Sequence, residues 1–182
     1  MKSFPVLTTI SRLAILALML PAGMLVAQNP DSSAITKLLA QVKSDAAVAD
    51  FDAHKLESYT RSQLQWQTHA SQLNLIKEHA NRLIEDGNEL SAMRDEGSPW
   101  QQQAIDHISS LLPEIATHLT TTIDHFNANL THTEMKPYQD LVRANQALIH
   151  QTHEIIADYV DYGEAKAKAD ALEKQLQLPA SS

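Results

Sequence analysis

Gly97-Ser98-Pro99-Trp100-Gln101 gathers several helix-boundary signals into five residues. Gly97 suits the left-handed close of a preceding helix and Ser98 an N-cap. Pro99 suits the first helical position, and Gln101 completes a Ser-x-x-Gln capping box. The stretch therefore reads as the corner of a long helical hairpin. The rest of the chain repeats the same grammar more weakly.

Working outward, only three glycines (Gly87, Gly97, Gly163) and three prolines (Pro99, Pro113, Pro137) lie between residues 31 and 178. Ala, Leu, Gln, Glu and Lys are abundant, and no alternating strand pattern of useful length appears, so the composition is helical. After the corner, Ile105, Ile108, Leu112, Ile115, Leu119, Ile123, Phe126 and Leu130 form an apolar seam. Pro113 should bend that helix, because the Ser109 carbonyl loses its donor.

Before the corner, one stripe runs Ile35, Leu38, Leu39, Val42, Ala46, Ala49, Ala53, Leu56, after caps at Asp31, Ser32 and Ser33. A second runs Trp66, His69, Leu73, Ile76, Ala80, Leu83, Ile84, Gly87, Leu90. On one straight helix at about 100° per residue their centres would differ by roughly half a turn. A tight turn near residues 58–63 is therefore expected, with Ser62-Gln63-Leu64-Gln65 as a second capping box. A continuous kinked helix, giving three helices, is the alternative. The last helix opens at Pro137 with apolar positions Leu141, Leu148, Ile155, Tyr159, Tyr162, Ala169, Leu172 and Leu176.

These readings predict an all-α fold, an up-down-up-down antiparallel four-helix bundle with helices at about 32–59, 63–95, 99–130 and 136–177. The fourth helix should overhang the others beyond Gly163. Residues 28–182 form one domain, because about 155 residues bury one core comfortably.

Residues 1–27 read as a secretory signal peptide. Lys2 and Arg12 flank a region running into Leu13–Leu20, which Pro21 cuts far short of the roughly 20 apolar residues a spanning helix needs. Ala27 offers the cleavage site, with an uncleaved anchor as the alternative. Without Lys2 and Arg12, 12 basic residues face 22 acidic ones, a formal charge of −10. Nucleic acid and anionic membrane are excluded as partners on that charge. The chain has no cysteine, which removes disulfides, thiolate metal sites and a Cys nucleophile.

Nine histidines are the unusual inventory. His118, His125 and His132 are seven residues apart, so neighbours stand about 10 Å apart along a helix and cannot share one ion. Glu114 with His118, an i,i+4 pair, can supply two ligands. His150, His153 and Glu154 have metal-like spacing, but the apolar pattern of their helix places them on its solvent side. His69 lies inside an apolar stripe, where its ring needs a hydrogen-bond partner such as a tyrosine hydroxyl, a threonine or a carbonyl. His69, Glu114 and His118 are thus the candidate metal ligands.

No Glu has His three residues later, as a ferritin-type di-metal bundle requires. His-Glu-x-x-His, Gly-x-Ser-x-Gly and glycine-rich phosphate loops are also absent. Met93 and Met135, the methionines after residue 27, sit near predicted helix ends, which gives no support to a haem site. No cofactor and no enzymatic activity are expected.

Trp66-Gln67-Thr68-His69, Ile76-Lys77-Glu78-His79, Ser98-Pro99-Trp100-Gln101 with Ala104-Ile105-Asp106, and Val160-Asp161-Tyr162-Gly163 with Lys166 resemble a group of secreted all-helical bacterial proteins. That resemblance implies export and a helical fold. It carries no established activity, cofactor or site residue. The expected function is that of a non-enzymatic periplasmic or secreted bundle acting through contacts with a protein partner or with itself. The alternative is a bundle binding a small ligand or a transition metal. Protonation of the histidines near pH 5 should move the charge toward zero and favour self-association.

Overall fold

The structure, a computed structural model, describes residues 29–62 and 64–177. The signal peptide expected at 1–27 lies outside the described residues. Four helices follow in order: α1 (Ser33–Tyr59), α2 (Trp66–Ala92), α3 (Pro99–Ala128) and α4 (Lys136–Leu176). A 3₁₀ turn, Arg94–Glu96, joins α2 to the corner. Helix α1 packs on α2 and α4, and α3 packs on the same two, so the four make a closed square.

Pairings that run in opposite senses show that α1 and α4 are antiparallel. Asp31 meets Lys166, Lys43 meets Asp161, and Gln139 reaches the Thr60 carbonyl. The fold is therefore the expected four-helix bundle, with α1 and α2 as separate helices. No described helix is long and apolar enough to cross a membrane.

At the opening corner the capping box forms, and Ser98 N–H donates to Gln101 Oε1 at 3.0 Å. Gln101 is wholly buried and serves α1 as well. Its Oε1 accepts from Ser32 N–H at 2.8 Å, and its Nε2 donates to the Ser32 carbonyl at 2.9 Å and to Thr36 Oγ1 at 3.0 Å. One amide thus ties the starts of α1 and α3 together, satisfying backbone groups that a helix start leaves without partners.

Gly97 differs from its expected role. Its backbone is extended, at φ −80° and ψ 155°, rather than left-handed. Glycine serves there by size, since a Cβ would stand 3.1 Å from both Ile35 Cδ1 and Gln101 Cβ.

The linker between α1 and α2 also departs from expectation. Helix α2 starts at Trp66, three residues late, and Gln65 caps it without a side-chain bond. Ser62 instead donates to the Tyr59 carbonyl at 3.0 Å and closes α1, so the second capping box is not used. Helix α3 runs unbroken through Pro113 and ends at Ala128.

The core takes the expected stripes of α1, α2 and α3 except at their outer ends, where Trp66 and Leu130 are exposed and Leu130 lies beyond α3; each fully buried Leu or Ile contributes about 1.5–3 kcal/mol. Helix α4 is turned by one residue. Its buried positions are Tyr138, Val142, Asn145, Ile149, Thr152, Ile156, Val160 and Gly163, while Leu141, Leu148, Ile155 and Tyr159 only flank the core. Two polar residues disguise this seam. Asn145 donates to the His118 carbonyl and to Thr122, and Thr152 returns its hydroxyl to the Leu148 carbonyl at 2.8 Å. Beyond Gly163 no described residue of α4 is buried, and Leu172 and Leu176 are exposed. The expected overhang is present.

Candidate metal centre

On α1 the buried seam is narrow, with Ala46, Ala49 and Ala53 successive along it. Aspartates flank it: Asp50 on the α4 side and Asp52 on the α2 side, only 8% and 7% exposed. A buried carboxylate needs partners, since leaving its charge uncompensated is costly. The one-residue turn of α4 supplies them to Asp50, because a seam through Ile149, Thr152 and Ile156 brings His150 and His153 to the α1 edge.

His150 Nδ1 lies 3.0 Å and His153 Nδ1 3.2 Å from Asp50 Oδ2. The carboxylate only accepts, so both imidazoles donate through Nδ1–H to one oxygen. That hydrogen bond and the Asp50 charge push His150 above its ordinary value. His54, one turn along α1, puts its Nδ1 3.0 Å from Asp50 Oδ1 but aims it at the Asp50 carbonyl, 3.1 Å away. Oδ1 is therefore buried without a hydrogen-bond donor among the described residues. Gln146 donates to His54 Nε2 at 3.0 Å, and the His54 and His150 rings meet edge to face at 5.5 Å.

One ligand atom each from Asp50, His150 and His153 lies within 4.8 Å of the other two. Two donors held about 2.1 Å from a tetrahedral ion stand roughly 3.4 Å apart, so the 3.0 and 3.2 Å separations need only small side-chain movements. Two imidazoles and a carboxylate are a donor set suited to Zn²⁺ or Cu²⁺, leaving a fourth position open. The His150 and His54 side chains are about half exposed, so the group opens to solvent on one side while Asp50 anchors it inside.

The three predicted ligands are not brought together. His69 is buried in the core, with Nδ1 3.1 Å from the Tyr138 hydroxyl and with the Tyr59 ring edge-on at 6.0 Å. Burial lowers its affinity for a proton and pushes the Tyr138 phenol up. Glu114 and His118 are both exposed on α3. Among the described residues, the Asp50 group alone assembles three potential ligands at metal-binding separations.

The i,i+3 spacing of His150 and His153 is visible in the sequence, but the apolar residues of α4 point one position away from its true seam and so set the pair on the solvent side. Asp50 carried no signal of its own, beyond being an acidic residue beside an alanine seam.

Comparison with known proteins finds no matching family model, no matching curated relative and no matching solved structure.

Proposed function

We propose that the protein is an exported, non-enzymatic helical bundle that binds one divalent transition-metal ion, Zn²⁺ or Cu²⁺, between α1 and α4. The observation that carries this reading is the buried Asp50 carboxylate, with two imidazoles converging on Oδ2 and no donor to Oδ1 among the described residues. The metal-free group holds protons between His150, His153 and Asp50, and a bound ion replaces them. Because the ligands come from the middle of two long helices, the ion would staple α1 to α4.

A contact with a protein partner or a second copy is the companion role. The exposed end of α4, with Leu172 and Leu176 outward, favours it.

Native mass spectrometry of the untagged full-length protein, recovered from its own envelope, tests the whole reading. The expected spectrum shows a chain beginning at Gln28 with close to one metal ion, lost in His153→Ala and Asp50→Asn. Background metal after mild dialysis and zinc or copper reloading rejects the metal site, and an unprocessed mass rejects export.

A further inference from the structure

A second place on α4, on the face turned toward α3, gathers chemistry that the metal centre does not use. Trp100, Gln103 and His107 from α3, spaced three and four apart, face Ile155, Asp158, Tyr159 and Tyr162 from α4 across a groove of about 500 Å³. That is the size of a small-molecule site.

Its aromatic walls are held in place. The Trp100 indole donates to Asp31 Oδ1 at 2.7 Å, and its six-membered ring presses on α4 at Gly163, where a Cβ would stand 2.6 Å from Trp100 Cη2. Tyr162 meets Trp100 edge to face at 5.6 Å. Tyr159 meets His107 the same way at 6.0 Å, with its hydroxyl 3.3 Å from His107 Nδ1.

Asp158 stands among these rings with no hydrogen bond or ion pair among the described residues. The lysine lining the adjoining cleft, Lys166, is already held by Asp31 at 3.1 Å and Asp170 at 2.9 Å. A free carboxylate beside three electron-rich rings attracts a cation that also carries apolar groups. A ring face favours the diffuse charge of an alkylated ammonium over a strongly hydrated one.

We propose that this groove binds a small organic cation of the quaternary ammonium class, with Asp158 as its counter-ion and Trp100, Tyr159 and Tyr162 as its walls. The proposal is independent of the metal centre, which lies on the α1 side of α4.

The test uses the full-length Trp66→Phe protein, in which Trp100 is the remaining indole, in metal-free buffer. Its fluorescence is titrated with choline and with the neutral isostere 3,3-dimethylbutan-1-ol. Choline should give a saturable change, and the alcohol should bind about tenfold more weakly or not at all. Asp158→Asn, at an exposed position that leaves the circular dichroism unchanged, should weaken choline about fivefold, and Tyr162→Leu should weaken it similarly. Absence of a saturable change, equal binding of choline and the alcohol, or full retention of choline by both variants overturns the proposal.

Discussion

Asp50 and Asp52 stand two residues apart on one helix and are almost equally buried, yet their surroundings do opposite things. Asp52 faces α2. Gln72 donates to its Oδ1 at 2.8 Å and to its carbonyl at 3.2 Å, and His79 Nδ1 stands 3.0 Å from its Oδ2 without a hydrogen bond among the described residues; both partners are buried. Asp50 faces α4, where its imidazole partners stand partly in water and one of its oxygens lacks a donor. Burial alone therefore does not tell the two carboxylates apart. What separates the two is access to water: both Asp52 partners, on α2, are buried, whereas the Asp50 group opens to solvent on one side, the condition an incoming ion needs.

The sharpest way to break that contrast is metal-linked stability. Zinc at about 100 times its dissociation constant should add about 2.7 kcal/mol to the wild-type unfolding free energy. Asp52→Asn should keep that increment and Asp50→Asn should lose it, as read by urea denaturation with and without zinc. Equal loss in both variants would mean that the two carboxylates do not differ in kind.

Without metal the order reverses. Asp52→Ala removes the side-chain acceptor of buried Gln72 and the carboxylate beside buried His79, and should cost about 1–3 kcal/mol. Asp50→Ala leaves a half-exposed His150 and a partly exposed His153 that water can satisfy, and should cost under about 1 kcal/mol.

The smallest effect sharpens the comparison from the core side. Burial holds His69 below its ordinary value of 6.5, so the folded protein refuses a proton that the unfolded chain accepts. Above about pH 6.5 both states are neutral and pH has no effect through this residue. As pH falls below that value, stability should decline until folded His69 itself titrates. His69→Gln in an Asp50→Asn background should flatten that slope in urea midpoints measured across the acid range. An unchanged slope would assign it to other groups.

Much of the bundle is legible in the sequence because the seams of α1 and α3 are runs of Leu, Ile, Val and Ala, residues whose chief physical use is burial. Ile35 through Leu56 and Ile105 through Phe126 mark their faces by spacing alone. Helix α4 was misread by one position because Asn145 and Thr152 occupy core sites and settle their polarity with Thr122, the His118 carbonyl and the Leu148 carbonyl. One residue is about 100° of rotation, enough to move His150 and His153 from the α1 boundary to open solvent. His69 was recognisable as a core histidine because it interrupts an apolar stripe, but its tyrosine partner lies 69 residues away.

The sequence by itself determined that the chain is helical, where its helices break, and that a Ser-Pro corner with Gln101 opens the third, because capping, proline geometry and apolar period act over a few neighbouring residues. Only the tertiary structure decided which face of α4 is inside, and hence which histidines reach Asp50 across a gap of 100 residues of chain. The rotation of a helix within a bundle is settled by what its neighbours can accept, and an amide satisfied by a neighbouring helix, or a hydroxyl satisfied by its own, can pack inside beside the methyl groups.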